Sequence, residues 1–152
     1  AVIKIKKQEI IDTCIGLTEA RLTEIRIAKE QSEEAIREDT KSSAGDKYET
    51  TREMVQQDLN RYQTQLQEAQ KDLHILQSLI DSPMTIVALG AIVQTDLASY
   101  FIASSIGQLK LAAGSFIYVI SPSSPVGLHL LGKRVGESIT FNGKSQKIIH
   151  II

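Results

Sequence analysis

The residues best suited to chemistry in this sequence are two carboxylates three positions apart, Asp46 and Glu49. Mg²⁺ is commonly held by one or two carboxylates, with water and phosphate oxygens completing its shell. Such a pair binds the ion weakly by itself, so a metal role requires another macromolecule to supply the other ligands. For the isolated fold a structural role is favoured, because Asp46 followed by Glu49 also matches a helix N-cap with its N3 partner, and this role does not exclude a second one.

Acidic residues are concentrated around this pair. Residues 30–53 contain eight acids and four bases, whereas the whole chain carries 18 acids and 17 bases and a formal net charge of -1. Glu38 and Asp39 are predicted to lie in the last turn of a helix, where the helix dipole disfavours negative charge. Helix stability does not explain those two acids, and the segment is either a solvated turn or a functional one.

The remaining candidate motifs for catalysis, metal binding or ligand binding match their patterns badly. Gly143, Lys144 and Ser145 end like a phosphate-binding loop, but position 138 is Ser where that motif requires Gly. The three histidines are scattered without metal-ligand spacing. Cys14 is the single cysteine and lies among apolar residues, so we interpret it as a packing residue. Tyr100, Phe101, Phe116 and Tyr118 are interpreted as core and sheet residues in preference to a base-stacking platform.

Two long helices must position the acidic segment. Apolar residues recur at alternating spacings of three and four, which is the pattern of a coiled-coil seam. The second helix shows this pattern at eight positions: Val55, Leu59, Tyr62, Leu66, Ala69, Leu73, Leu76 and Ile80. The first follows it more loosely: Ile11, Ile15, Thr18, Leu22, Ile25, Lys29, Ser32 and Ile36. A breaker segment over residues 40–45 separates them and predicts an antiparallel hairpin.

The composition changes near Ser82 and Pro83, which predicts a coiled-coil arm over 1–82 and a small second domain over 83–152. All three prolines and seven of the nine glycines follow this point. Short apolar runs predict strands over residues 86–93, 98–103, 116–120, 139–141 and 147–152, with a tight turn at Asn142 and Gly143. Residues 121–132 contain the start and stop signals of one short helix, namely serine cap candidates, an early proline and a terminating glycine. The expected fold class is therefore α+β, with an antiparallel sheet.

Composition narrows the class of protein. A near-neutral net charge argues against nucleic-acid binding through bulk electrostatics alone. No apolar stretch reaches the roughly 20 residues of a membrane span, and we expect no membrane partner. A single cysteine favours a reducing compartment, so the expected location is the cytoplasm.

Several segments together resemble the Gre family of bacterial transcript-cleavage factors, transcription elongation factors with a DNA-associated role. The resemblance rests on a helical hairpin with residues 45–49 at its tip, on residues 87–93, on Ser121 and Pro122, and on residues 131–137. It spans nearly the whole chain. The resemblance implies that the second domain has an FKBP-like fold.

The same resemblance implies a function. The second domain of such factors binds RNA polymerase at the rim of its secondary channel, here through residues around Ser121 and Pro122. The coiled coil passes down the channel, where an Asp and a Glu three residues later help the polymerase hydrolyse backtracked RNA. Asp46 and Glu49 match those catalytic and metal-binding positions. The chain would be an accessory factor, a monomer and no enzyme itself. It would share the Mg²⁺ of the polymerase active site, hold no cofactor of its own, and meet the 3′ end of the nascent RNA indirectly.

The tip departs from the family pattern, which keeps a second function open. Lys47 and Tyr48 stand inside the acid pair, and Thr50, Thr51 and Arg52 follow where the family typically has an Asn and a second Glu. The alternative is a regulator that enters the secondary channel without stimulating cleavage. A prolyl isomerase and a dimerising scaffold are the remaining classes, and the former would need an aromatic-lined pocket.

Overall fold

The computed structural model describes residues 4–42 and 45–152, and within residues 39–42 and 45–51 the description is confined to the backbone. Two long helices come first, α1 (Lys7–Ser42) and α2 (Gly45–Ser78). A six-stranded sheet follows, with one short helix, α3 (Pro125–Leu130). The strands are β1 (Ile92–Thr95), β2 (Ser99–Ile102), β3 (Gly107–Lys110), β4 (Phe116–Ile120), β5 (Ser138–Phe141) and β6 (Lys144–Ile151). The predicted α+β class is confirmed.

The chain forms two compact units. One unit comprises Ile15–His74, the greater part of both long helices. The other comprises Ala1–Cys14 together with Ile75–Ile152, so the first turns of α1 and the last turn of α2 group with the sheet. In this second unit the Lys7 ammonium is almost fully buried and donates to the Ser82 backbone carbonyl at 2.8 Å. Desolvation lowers the pKa of Lys7, and the nearby Asp81 carboxylate partly opposes that shift.

The predicted seam is confirmed in both helices with one exception. Every proposed position of α1 is at least half-buried, including the polar Thr18, and seven of the eight proposed positions of α2 are too. The exception is Ile80, which is 73% exposed because α2 ends at Ser78. The predicted breaker over residues 40–45 is too long, since α1 continues to Ser42 and α2 starts at Gly45. Residues 43–44 lie outside the described residues.

The sheet order is β3-β4-β2-β1-β6-β5. Four of its pairings are antiparallel, as expected, but β2 and β4 run parallel. The reason is topological: after β2 the chain moves to the sheet edge to form β3, and β4 then returns into the position between them. The sheet is therefore mixed.

Two strand predictions need correction. Residues 86–93 were expected to form a strand, but Gly90 has a φ of +93° in a turn and β1 begins at Ile92. Ile86 makes an isolated bridge to Arg134. Strand β3 was not predicted at all, because a half-buried strand is recognised by apolar alternation and this edge strand is largely exposed and polar.

One core cluster of the sheet unit lies on the face that α3 covers. Its buried residues come from β1, β2, β5, β6, α3 and the segment before β1: Val87, Ala91, Val93, Tyr100, Ile102, Leu130, Ile139, Ile148 and Ile151. Phe101, Ile117 and Val119 are buried on the opposite face, because successive residues of a strand alternate. The turn at Asn142 and Gly143 is confirmed by positive φ angles of 51° and 75°.

Candidate functional site

The helical unit is held together by a narrow apolar seam. Leu22 and Ile25 of α1 pack in one cluster with Leu66 and Ala69 of α2, and Tyr62 and Leu73 flank them. Two polar contacts join the same helices, one between Arg21 Nη1 and Asp72 Oδ2 and one from Lys29 Nζ to Gln63 Oε1, both at 3.3 Å. From Arg21 to Lys29 the residue number in α1 rises by eight, while from Asp72 to Gln63 the number of the contacted residue in α2 falls by nine. This register establishes that the two helices are antiparallel.

An antiparallel register brings the end of α1 and the start of α2 to the same end of the hairpin. Seam packing continues towards that end, since Ile36 and Val55 are still half-buried. Asp46 and Glu49 belong to the first five residues of α2, and residues three apart lie on one side of a helix. Their side chains lie outside the described residues, as does the predicted capping contact of Asp46.

The described acids near this end are surface groups. Glu33 pairs with Lys29 at 3.9 Å and Glu34 pairs with Arg37, all within α1. These side chains are between 33% and 67% exposed, and exposed pairs of this kind contribute about 0–1 kcal/mol. They therefore do little to fold the hairpin, and they leave the net negative charge of the segment unchanged.

The second candidate site is the turn that begins at Ser121 and leads into α3. The Ser121 carbonyl accepts hydrogen bonds from the Ser124 backbone N–H at 3.0 Å and from Ser124 Oγ at 2.6 Å. Ser124 Oγ in turn accepts from the Gly127 N–H at 3.1 Å, which makes Ser124 the N-cap of α3. Pro125 occupies the first helical turn, where its missing N–H costs nothing.

Ser121 and Pro122 are half-buried in this turn. The Ser121 hydroxyl accepts a hydrogen bond from the Ser123 N–H at 3.1 Å and lies 2.8 Å from the Ser123 hydroxyl. Hydrogen bonds on both its carbonyl and its hydroxyl, together with the fixed φ of Pro122, hold the turn in one conformation. The backbone of this turn is therefore preorganised.

Sequence reasoning missed the apolar side chains that accompany this turn. Leu128 of α3 is 63% exposed, and Val135 is 55% exposed. Lys133 and Arg134 directly precede Val135 in the sequence, so the segment after α3 carries positive charge next to an exposed apolar side chain. No sequence signal separates Leu128 from core residues, because it lies in a short apolar run between buried Gly127 and Leu130. Val135 lies between exposed Arg134 and Gly136, and these polar and small neighbours are a sequence signal for its exposure.

The other groups named from the sequence behave as structural residues. Cys14 is fully buried, and burial raises the pKa of its thiol to about 11, so it is not a nucleophile at neutral pH. Among the described residues, no three His, Cys, Asp or Glu side chains come together to hold a metal ion. Within that same part of the chain, no helix is long and apolar enough to cross a membrane.

The chain is similar to a solved structure of a transcription factor. Its title is "Structure of the transcription factor Gfh1", and this chain is similar to it at 19% identity, with a TM-score of 0.36. The similarity covers 91% of this chain and 92% of that one. No family model and no curated protein matches the chain.

Proposed function

We propose that this protein is a Gre-like transcription elongation factor. It binds RNA polymerase at the secondary channel and presents Asp46 and Glu49 at the polymerase active centre, where they stimulate cleavage of backtracked RNA. The observation that carries the proposal is the antiparallel register of α1 and α2, which brings the acidic segment to the turn of a long helical hairpin.

The dimensions of the hairpin suit a narrow channel. At 1.5 Å per residue the 36 residues of α1 span about 54 Å, and the 34 residues of α2 span about 51 Å. Two helices packed along one seam leave most of their surface exposed, and here the exposed surface is dominated by polar and charged residues. Packing along the seam is enough to hold the residues at the end of such a hairpin.

The chemistry of the turn is incomplete in this chain alone. Two carboxylates fit the donor set that Mg²⁺ accepts, and the remaining ligands and the phosphate substrate would come from the polymerase and its RNA. In two-metal hydrolysis the ions stabilise the attacking and leaving oxygens of an in-line displacement. The chain would thus be an accessory factor to a hydrolysis that the polymerase performs, with no cofactor of its own.

The turn at Ser121 and Pro122 is the proposed contact with the polymerase. Its hydrogen bonds fix the backbone before binding, so little conformational entropy is lost when a partner docks. Exposed Leu128 adds apolar area nearby, and Lys133 and Arg134 add positive charge that favours an acidic partner surface.

The test is RNA cleavage in a purified, backtracked polymerase complex. We expect the wild-type chain to shorten the RNA. Asp46→Asn or Glu49→Gln should slow that reaction by at least about 10- to 100-fold, since loss of an outer-shell partner of a metal ligand already costs that much. Glu68→Gln is the matched control, because Glu68 is an exposed acid of α2 outside the acidic segment. Equal cleavage by all four proteins would remove the catalytic role of the pair.

A second function is favoured by the residues of the tip itself. Lys47 lies between the two acids in the sequence and Arg52 follows them, so the same segment also carries positive charge. A factor of this kind would occupy the same channel and regulate transcription without stimulating cleavage. It would displace a cleavage-active factor from the polymerase, and Asp46→Asn would leave that competition unchanged.

A further inference from the structure

Two aromatic side chains are exposed together on one strand of the sheet. Phe116 is 46% and Tyr118 is 39% exposed, although both were interpreted from the sequence as core or sheet residues. They are two residues apart in β4, so they point to the same face with about 7 Å between them. With their cross-strand neighbours Gln108 and Lys110 they form a surface that we call the aromatic face.

The position of α3 explains why the aromatic face is exposed to solvent. Tyr118 pairs with Tyr100 of β2, and Tyr100 belongs to the core that α3 helps to cover. The helix contacts β5, at the opposite edge of the sheet, and the core extends no further than β2 and the inner end of β4. The aromatic face is therefore the uncovered end of the sheet surface on which the core is built.

The Tyr118 ring has an aromatic neighbour on the adjacent strand β2. The Tyr118 ring lies 6.0 Å from the Tyr100 ring, centroid to centroid, at an interplanar angle of 35°. The Tyr100 hydroxyl donates to Gln146 Oε1 at 3.0 Å, and Thr95 Oγ1 lies 2.8 Å from the same oxygen. Tyr100, Gln146 and Thr95 are all buried. Tyr118 thus rests on a fixed ring, which lowers the entropy cost of stacking a ligand upon it.

The charge around the aromatic face is suited to a polyanion. Lys110 lies directly opposite Phe116, and Gln108 lies opposite Tyr118. Residues 97–136, which include β2, β3, β4 and α3, contain no Asp or Glu, whereas the chain as a whole has 18. A lysine on an edge strand also discourages edge-to-edge pairing. That role explains Lys110 but gives no reason to leave two aromatic rings in water.

We propose that the aromatic face binds single-stranded nucleic acid. Two successive bases stack on Phe116 and Tyr118, Lys110 contacts a phosphate, and Gln108 offers its amide to a base edge. A single strand fits because its bases present their faces, which are covered in a duplex. An acidic protein surface would satisfy Lys110 but would gain less from two exposed rings. This site uses the sheet unit alone, and it stands whether or not the chain acts on RNA polymerase.

The experiment is fluorescence anisotropy with the full chain and labelled oligonucleotides of about 12 nucleotides, a length within the usual range of single-strand sites. Oligo-U RNA and oligo-dT DNA are the two single strands, and a duplex of equal length is the comparison. We expect both single strands to bind at least about tenfold more tightly than the duplex. A preference for RNA over DNA would point to contacts with the 2′-hydroxyl.

Variants separate stacking from charge. Phe116→Leu and Tyr118→Leu remove a ring while keeping apolar bulk, and each is expected to weaken binding about tenfold. Phe116→Tyr and Tyr118→Phe keep the rings and are expected to bind like the wild type. Lys110→Gln should reduce the slope of log affinity against log salt by about 0.7, the value for one phosphate contact on a single strand. Leu97→Ala is the control, since Leu97 is 58% exposed and lies between β1 and β2.

Three results would overturn the proposal. The first is duplex binding as tight as single-strand binding, which indicates electrostatic attraction alone. The second is unchanged affinity in both leucine variants while circular dichroism shows that they are folded. The third is displacement of the oligonucleotide by poly-glutamate at an equal concentration of charge, which indicates an acidic protein partner.

Discussion

Gly127 is the residue at which one added methyl group should do most damage to the Ser121 turn. A Cβ on Gly127 would lie 2.4 Å from the Ser121 carbonyl oxygen, 2.7 Å from Ser124 Oγ and 3.1 Å from the Pro122 carbonyl oxygen. Two of these atoms are backbone, and the Ser121 oxygen is already held by two hydrogen bonds. Gly127→Ala must therefore displace the turn or the start of α3.

The expected magnitude follows from three contributions. Overpacking in a close-packed site costs about 1–3 kcal/mol. Loss of the Ser124 cap adds about 1 kcal/mol, because Gly127 N–H is its hydrogen-bond donor. The higher helix propensity of Ala returns about 1 kcal/mol. The net destabilisation is about 1–3 kcal/mol, and each kcal/mol lowers Tm by about 4–8 °C in a domain of about 60–100 residues.

Gly16→Ala is the matched comparison. Gly16 lies in α1 and is exposed, and a Cβ added there would meet no neighbouring atom within 4 Å. The same substitution at this position should stabilise the chain by about 0.5–1 kcal/mol, because Ala has the higher helix propensity. Urea unfolding followed by circular dichroism and tyrosine fluorescence measures both variants. A Gly127→Ala protein as stable as the wild type would show that the described packing of this turn is wrong.

Three further outcomes are expected from residues outside that turn. Leu66→Ala should destabilise the helical unit by about 2–5 kcal/mol, measured as a lower urea midpoint, because Leu66 is buried in the seam. Gly143→Ala should cost about 1–2 kcal/mol in the same assay, since φ at Gly143 is +75°. The raised pKa of Cys14 means that the folded chain holds this proton more tightly than the unfolded chain does. Stability should therefore fall as pH rises from about 9 to about 11, and Cys14→Ala should flatten that part of the pH profile.

Periodicity predicted the helical unit well because a two-helix seam is a one-dimensional pattern. Polar Thr18 and Lys29 occupy seam positions in α1, and the spacing of their apolar neighbours was enough to place them. Turns were equally predictable because they depend on the conformational preferences of single residues. Asn142 and Gly143 tolerate the positive φ angles that they adopt, and Pro125 favours the first turn of α3, where it lies.

Features that depend on contacts between distant parts of the chain could not be predicted from the sequence. The run over residues 86–93 is apolar enough for a strand, but a turn at Gly90 interrupts it. Strand β3 owes its existence to pairing with β4, and its own residues carry no strand signal. Phe116 and Tyr118 alternate with buried Ile117 and Val119 as core residues would, and only the position of α3 over the other end of the sheet leaves them exposed.

The measurement that tests the proposed function most directly is photo-crosslinking from the hairpin turn. A crosslinking side chain at position 47 is placed in a backtracked RNA polymerase complex, with the same group at Glu68 of α2 as the comparison. The proposal predicts that position 47 crosslinks to the catalytic centre of the polymerase and to the 3′ end of the RNA, while position 68 does not. Crosslinks from position 47 confined to the outer surface of the polymerase, or no crosslinks to it at all, would contradict the proposal.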